Sequence, residues 1–395
     1  MSECCGETNA GASSDGAPCD AFEWFGDMVS HCIDYAGGAK AAGRPVVGIM
    51  CEYTPRELIL AAGGVAACLC GGSAAMVAPA EDDLPANLCP LIKSTYGYHA
   101  QKANPFLEMA DLIVAETTCD GKKKMYELMG RTRRMHVLEL PQKPGAAEAM
   151  THWKAEMRKL ADALEDLFSV EITDAKLREA IELMNRQRSL KRGLAELMRA
   201  DAPPLTGGQL LRFQSILACA PGALEHYEKA IEQMSGKTGP DEYAKRARVM
   251  MTGVPVPHGA DRVLEIIEDS GGLIVAMENC SGIKPIYEDV DASADDPLDA
   301  IAEKYFHLPC SVMTPNDSRM DLLGQLAGDY RPDCIIELIW QACLTYDVES
   351  ARVRELAGEL GVPYLRIETD YSPSDSARIA VRVEALFETV RSRAG

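Results

Sequence analysis

The chain has 395 residues, of which 47% are hydrophobic and 25% charged, which is typical of a globular protein long enough for two or three domains. Its formal net charge of −20 at pH 7 argues against the clustered basic surface that nucleic acids require, so we predict no nucleic-acid partner. No run reaches the roughly 18 to 20 apolar residues of a membrane span, and the start resembles no secretory leader. We therefore expect a cytoplasmic protein.

An N-terminal region of residues 1–45 precedes the regular part of the chain. Its Gly-, Ser- and Ala-rich head predicts a flexible segment to about Pro18, and the following DAFEWFGDMVSHCIDYAGGAKAAG has helical spacing. We do not expect the cysteines of this region to bind metal. They are Cys4, Cys5, Cys19 and Cys32.

Strand and helix patterns alternate from residue 46 to 150, which predicts a first α/β domain with a parallel sheet. Four short apolar runs are interpreted as strands: RPVVGIMC, VAACLC, ADLIVAETTC and HVLELPQ. Between them, PRELILAAGG and PLIKSTYGYHAQKANPFLEMA have the spacing of helices.

The pattern changes at residue 151 and returns at residue 241. Long amphipathic helices fill 151–240, and we interpret them as a connecting region packed between two domains. From 241 to 395 the α/β pattern resumes as an internal repeat, in which RARVMMTGVP matches RPVVGIMCEY and PDCIIELIWQACLTYD parallels ADLIVAETTCDG. The predicted fold class is α/β, with two similar Rossmann-like domains, each with a parallel sheet, joined by a helical segment.

Seven of the fourteen cysteines occupy corresponding positions of this repeat. Disulfides are rare in a reducing compartment, where cysteine more often binds metal or takes part in catalysis. Ligand sites of parallel α/β sheets collect at the carboxyl ends of strands. The predicted strand ends carry Cys51, Cys70, Cys119, Cys280 and Cys343, and equivalent loops carry Cys89 and Cys310. This placement predicts a metal cluster between the two domains.

The spacing of these seven cysteines favours an iron–sulfur cluster over zinc. Zinc sites usually contain tight Cys-x2-Cys pairs, which this set lacks, whereas ligands isolated in sequence suit a cluster held by thiolates. Helix starts near Lys93 and the run Lys122–Lys124 would stabilise an anionic cluster. Three other cysteines lie inside apolar runs and are expected in the core: Cys68, Cys219 and Cys334.

Several short motifs resemble those of the double-cubane cluster proteins, within the larger group of 2-hydroxyacyl-CoA dehydratases and benzoyl-CoA reductases. They are MCEYTPRELILAAG, LPANLCPLIKSTYG, AETTCDGKKKMYELM, MENCSGIK, LPCSVMTPN, QACLTYDVES and YLRIETDYS. The resemblance covers residues 44–390, and NLCPLIKS together with TTCDGKKKM is its most specific part.

The resemblance implies which cysteines hold iron. In the dehydratases three cysteines hold one [4Fe–4S] cluster, and the corresponding residues are Cys89, Cys119 and Cys343. The double-cubane proteins carry three more cysteines, so that two cubanes joined by a sulfide form an [8Fe–9S] cluster. The residues that match these are Cys51, Cys280 and Cys310.

One ligand position has two candidates. The internal repeat supports Cys70, the counterpart of Cys280, in place of Cys51. We prefer Cys51 because it ends its strand in a turn, whereas Cys70 has the surroundings of a buried strand residue. The chain also departs from the family pattern at Leu344, where we expect histidine, and at Val312, where a second cysteine is common. These two differences affect the surroundings of the cluster rather than its ligands.

The resemblance further implies a low-potential reductase that delivers electrons to a small substrate. A separate dimeric ATPase with its own [4Fe–4S] cluster would drive the transfer, which agrees with the lack of a phosphate-binding GxxxxGK motif in this chain. The related double-cubane proteins are homodimers, and we expect the same here. Candidates for proton transfer beside the cluster are Glu52, Tyr53, His258, Glu278 and Tyr346.

Two alternative functions remain open. One is a lyase, a 2-hydroxyacyl-CoA dehydratase subunit with a single [4Fe–4S] cluster, which would need a different partner subunit and a groove for coenzyme A. The other is an electron carrier or cluster-delivery scaffold without a substrate of its own.

Overall fold

The computed structural model describes residues 20–394, and these form two parallel β-sheets of four strands each. Cys4, Cys5 and Cys19, which we do not expect to bind metal, lie outside the described residues. The first sheet consists of β1 (Val46–Ile49), β2 (Val65–Cys68), β3 (Leu112–Glu116) and β4 (Met135–Leu138). The second consists of β5 (Ala247–Gly253), β6 (Gly272–Glu278), β7 (Cys334–Trp340) and β8 (Tyr364–Thr369).

The two sheets have the same topology. Their strand orders are β2-β1-β3-β4 and β6-β5-β7-β8, and all neighbours pair in parallel. The central strands are buried on both faces, as the continuous apolar runs of the sequence predict. The α/β class with two Rossmann-like sheets is therefore confirmed.

Helices cover both sheets and fill the segment between them. Those of the first half are α1 (Ala21–Gly26), α2 (Met28–Ala41), α3 (Arg56–Ala61), α4 (Val77–Ala80), α5 (Pro90–Ala100), α6 (Pro105–Met109) and α7 (Asp120–Met129). The connecting helices are α8 (Ala149–Phe168), α9 (Asp174–Glu196), α10 (Gly207–Arg212) and α11 (Pro221–Met234). Those of the second half are α12 (Arg262–Asp269), α13 (Pro297–Phe306), α14 (Asp317–Tyr330), α15 (Leu344–Glu359) and α16 (Ser376–Ala394).

The connecting helices join the two halves through their apolar faces. In α8 the fully buried Trp153 donates from Nε1 to the Ala302 carbonyl of α13 at 3.0 Å. Helix α9 packs against α3 of the first half and α13 of the second. Thr173 caps its first turn by accepting from the Lys176 amide. Within residues 20–394 no helix is both long enough and apolar enough to cross a membrane.

The halves meet closely at the carboxyl edge of the first sheet, just after β2. A Cβ added at Gly72 would lie 2.3 Å from the His258 carbonyl oxygen, so only glycine fits there. The buried Tyr371 hydroxyl, which follows β8, donates to the Gly71 carbonyl at 3.2 Å. These contacts bring the strand ends of both sheets to one region.

Candidate metal centre

Strand order explains why cysteines from distant parts of the chain meet. In each sheet the chain reverses its winding between the two central strands, where open α/β sheets bind ligands. Cys51 follows β1 and Cys119 follows β3, so both lie at the switch point of the first sheet. Cys280 and Cys343 follow β6 and β7 of the second sheet.

Cys89, Cys119 and Cys343 form the first cysteine trio. Each is the N-cap residue of a helix, preceding α5, α7 and α15 respectively. The Cys343 thiol lies beside that of Cys89 and lowers its pKa, and backbone amides of the first turn of α5 act in the same direction. The same interaction raises the pKa of Cys343, to which burial and the nearby Cys119 sulfur also contribute. Helix starts favour thiolates, which are the metal-binding form of cysteine.

Cys51, Cys280 and Cys310 form the second cysteine trio. Burial raises the pKa of Cys51 to about 12, and the Cys310 sulfur adds to the shift. Burial also raises the pKa of Cys280 well above its usual range, with Cys310 and Cys51 acting in the same direction. The three sulfurs are therefore electrostatic neighbours, although they come from both halves of the chain. Cys310 is buried, whereas Cys51 and Cys280 are partly exposed.

Cys70 lies next to the second trio, but its thiol interacts with other groups. Its thiol points to the Met50 carbonyl at 3.7 Å, and its pKa is raised chiefly by an interaction with the Cys68 thiol. Cys51, not Cys70, is among the groups that shift the pKa of Cys280 most. This arrangement favours Cys51 over Cys70 as a ligand, and the choice stays a prediction.

The donor set fits an iron–sulfur cluster better than a single ion. Among residues 20–394 no three His, Cys, Asp or Glu side chains converge on one metal-ion position. A polynuclear cluster takes its thiolates at separate iron atoms, so the sulfurs need not converge on one point. Cys219 and Cys334 are buried in the core, as predicted, and Cys32 is buried there too. Cys68 also packs against the core and borders the cavity described below.

Two lysines face the cysteines, one from each half. Lys122 in α7 donates to the Met50 carbonyl at 2.9 Å, and the Cys51, Cys70 and Cys119 sulfurs help to raise its pKa against the effect of burial. The side chain of Lys284 has no exposed surface. Glu278, Cys280 and Cys310 raise its pKa against the effect of burial.

The other predicted lysine, Lys93, has its ammonium turned toward other partners. It contacts Glu81 and the Ala86 carbonyl, both at 2.8 Å. Of the remaining lysines in the basic run, Lys123 and Lys124 pair with acidic neighbours on the same helix. Lys122 is therefore the member of the run that is placed to balance negative charge at the cysteines.

Behind the second trio lies the Arg319 cluster, a set of charged and hydroxyl groups that are buried except for the partly exposed Glu349. Glu278 pairs with Lys284 at 2.9 Å and with Arg319 at 3.2 Å. Burial opposes ionisation of Glu278, but these two cations outweigh it and lower its pKa. Lys284 also donates to the Tyr346 hydroxyl at 2.7 Å. The remaining members of the cluster are Thr252, Glu337 and Glu349. The cluster links the loops that carry Cys280 and Cys343.

The other predicted proton donors occupy three different settings. The buried Tyr53 hydroxyl donates to the Leu308 carbonyl at 3.1 Å, which ties the Cys51 loop to the Cys310 loop. Glu52 pairs with Arg56 at 2.8 Å and lines a cavity, and the exposed His258 lines the same cavity. Their catalytic roles, like those of Glu278 and Tyr346, stay predictions.

Sequence reasoning missed Glu116, a carboxylate at the end of β3. Its side chain is fully buried, it accepts from the Thr54 hydroxyl, and its Oε2 has no hydrogen-bond partner in the described part of the chain. Burial raises its pKa to about 7, although the Thr54 hydrogen bond and Lys122 oppose the shift. A charged residue inside the apolar run LIVAE was the available clue.

A cavity of about 620 Å³ adjoins the second trio and lies between the two halves. Cys280 and Cys70 reach its wall, together with Glu52 and His258. Its volume falls within the range of small-molecule sites. Leu344 and Val312, the two departures from the family pattern, do not line it: Leu344 is 70% exposed and Val312 is buried.

The chain belongs to the family of 2-hydroxyglutaryl-CoA dehydratase D-components, whose model matches residues 51–390. The resemblance to the 2-hydroxyacyl-CoA dehydratase and benzoyl-CoA reductase group is thereby confirmed. Members of this group are enzyme subunits of the dehydratase or reductase kind.

Among known proteins, the chain is similar to the putative dehydratase subunit YjiM of Escherichia coli. They are 39% identical over 362 residues, covering 88% of this chain and 92% of that protein. It is also similar to the (R)-phenyllactyl-CoA dehydratase beta subunit of Clostridium sporogenes, at 23% identity over 93% of this chain and 98% of the other. A benzoyl-CoA reductase subunit of Thauera aromatica is 22% identical over 87% of this chain and 89% of its own.

Proposed function

We propose that the protein is a low-potential iron–sulfur reductase of small molecules. The two cysteine trios would hold a double-cubane [8Fe–9S] cluster, with Cys89, Cys119 and Cys343 on one cubane and Cys51, Cys280 and Cys310 on the other. Such clusters supply electrons at potentials that reach about −700 mV. A homodimer in the cytoplasm, receiving electrons from an ATP-hydrolysing [4Fe–4S] activator, completes the proposal.

The observation that carries this proposal is the second trio. A single [4Fe–4S] cluster on the first trio would leave three neighbouring cysteines beside it, contributed by both halves of the chain, without a role. Lys122 lies near Cys51, and Lys284 lies near Cys280 and Cys310. Both cations act against burial, which raises the thiol pKa, so they would support thiolates that bind iron.

The side chains around the trios have distinct tasks in this proposal. Tyr53 and the Arg319 cluster hold the ligand loops in place by hydrogen bonds and ion pairs. Glu52 lies on the cavity wall that also holds Cys280, so its carboxylate is placed to shuttle a proton to a molecule bound there. Its partner Arg56 keeps the carboxylate oriented.

A dehydratase subunit is the second candidate, because the similar proteins include the (R)-phenyllactyl-CoA dehydratase beta subunit and YjiM, a putative dehydratase subunit. In that case only the first trio would bind a cluster, and a second polypeptide would complete the enzyme.

Counting iron and sulfide in anaerobically purified protein separates the candidates. We expect about eight irons per chain for the double cubane. About four irons, with a second polypeptide that co-purifies, would contradict the proposal and favour the dehydratase. Protein that holds eight irons and accepts electrons but reduces no small molecule would indicate an electron carrier.

Cysteine variants test which sulfurs hold iron. Cys280→Ser is expected to lose about half of the iron, whereas Cys334→Ala, a buried cysteine at the start of β7, is expected to keep all of it. Full iron content in Cys280→Ser would mean that the second cubane is not built as proposed. Comparing Cys51→Ser with Cys70→Ser decides between the two candidates for the remaining position.

A further inference from the structure

The cavity beside Cys280 has an apolar wall. Side chains from the first half and the connecting helices supply it, including Phe25, Met28, Phe106, Met184 and Tyr227. Apolar side chains dominate most small-molecule sites, and a few polar groups fix the ligand's orientation. The apolar wall therefore suits the hydrocarbon part of a ligand.

The cavity also has a basic wall, formed by α9 and the segments beside it. Two of its arginines already have carboxylate partners: Arg56 pairs with Glu52 and Arg188 with Glu57. Lys191 differs, because the structure gives its ammonium no ion-pair or hydrogen-bond partner among residues 20–394. The buried Lys304 donates to one carbonyl, that of Pro285, at 3.1 Å and lies 4.6 Å from the centroid of the Tyr305 ring, but it contacts no carboxylate.

Two ammonium groups border the cavity, and neither has a carboxylate within ion-pair distance among the described residues. Removing a charge from water is compensated only by an opposite charge or by hydrogen bonds. Burial lowers the pKa of Lys191, and it lowers that of Lys304 to about 7 with help from Arg188. An anion bound in the cavity would supply the missing counter-charge to both.

We propose that this cavity binds a small carboxylic acid with an apolar body, whose carboxylate is held by Lys191 and Lys304. The assignment of this molecule as the reductase substrate rests on the function proposed above, since it would place the ligand beside Cys280. A carboxylate with an apolar body fits better than inorganic phosphate, because a phosphate ion would leave the apolar wall without a partner. Of the arginines that line the cavity, Arg56 and Arg188 pair with Glu52 and Glu57, and the exposed Arg212 lies over the Phe22 ring.

The test uses anaerobically purified full-length protein and a matched pair of probes, phenylacetate and its neutral amide phenylacetamide. Isothermal titration is expected to show binding of phenylacetate and at least about tenfold weaker binding of the amide. Lys191→Met is expected to weaken phenylacetate binding by at least about tenfold, while Lys191→Arg restores most of it. Lys237→Met, which changes an exposed lysine outside the cavity, is the matched control and should bind as the parent does.

Several outcomes would overturn the proposal. They are equal binding of acid and amide, unchanged phenylacetate affinity in Lys191→Met, or inorganic phosphate binding as tightly as phenylacetate. If Lys191→Met misfolds, Lys304→Met provides the same comparison.

Iron counting on each sample distinguishes a failure of the carboxylate site from a failure of the proposed cluster. Four irons with binding that depends on Lys191 would contradict the double cubane alone. Eight irons with binding independent of Lys191 would contradict the carboxylate site alone.

Discussion

The protein contains two buried groups of charges, and they are organised in opposite ways. In the Arg319 cluster the cations Arg319 and Lys284 face Glu278, Glu337 and Glu349, so each positive group has a carboxylate beside it. On the basic wall of the cavity, Lys191 and Lys304 face no carboxylate within ion-pair distance in the described residues. A closed set of charges is suited to fixing loops, whereas an incomplete set is suited to receiving a ligand.

Removing the central cation of the closed set should have the largest effect. Arg319→Met leaves Glu278 and Glu337 buried with less counter-charge, so we expect a loss of about 3 to 5 kcal/mol in the free energy of unfolding. Urea titration monitored by circular dichroism measures it. A loss below about 1 kcal/mol would mean that the cluster is not structurally important.

Removing a cation of the incomplete set should stabilise the protein instead. The pKa of Lys304 is lowered from 10.5 to about 7, mainly by burial and also by Arg188, with Arg56 acting the same way and Glu57 and Glu52 opposing it. The folded protein therefore loses stability as the pH falls from 10.5 toward 7, because the unfolded chain binds the proton first.

Lys304→Met removes that penalty and should be more stable than the parent by on the order of 3 kcal/mol at neutral pH. The difference should shrink as the pH rises toward 10. Urea titrations at several pH values between 7 and 10 measure it, with Lys237→Met as the control. A stability difference that does not change with pH would show that Lys304 is charged in the folded protein.

Separating the two halves should disturb both charge groups at once. In Gly72→Ala the new Cβ would press on the His258 carbonyl, so we expect a loss of about 2 kcal/mol and a lower iron content. Gly37→Ala in α2, where a Cβ meets nothing within 4 Å, should be neutral or slightly stabilising. Thermal unfolding and iron analysis of both variants make the comparison, and equal behaviour would contradict a tight contact at Gly72.

The smallest effect is expected at an exposed ion pair. Arg352 pairs with Asp317 at 2.7 Å, but the two side chains are 41% and 72% exposed. Solvent screens such a pair, so Arg352→Ala should change the free energy of unfolding by less than about 1 kcal/mol. The same urea titration measures it. An effect as large as that of Arg319→Met would show that burial does not separate the two kinds of pair.

Much of the fold could be predicted from the sequence because its periodicities are strong. Buried parallel strands give short apolar runs, and the repeat fixed the correspondence between β1 and β5 and between β3 and β7. The positions of Cys119 and Cys343 followed from the same pattern, since each comes between a strand and a helix.

The charged surroundings could not be predicted in the same way. Lys93 follows Cys89 closely in sequence, which predicts a place near the cluster, but its ammonium pairs with Glu81. Arg319 and Lys191 lie on helices whose polar residues look alike in sequence. Only tertiary packing decides which of them becomes buried and which obtains a partner, and that information is not local.

The division of the cysteines between two similar halves also bears on biosynthesis. Each trio combines sulfurs from both halves of the chain, and Cys343 is made after more than four fifths of the 395 residues. The first trio cannot close on a nascent chain until the start of α15 has left the ribosome, and the second trio needs the loop that carries Cys310. A cluster that spans both trios must therefore be loaded late, onto two halves that have already come together.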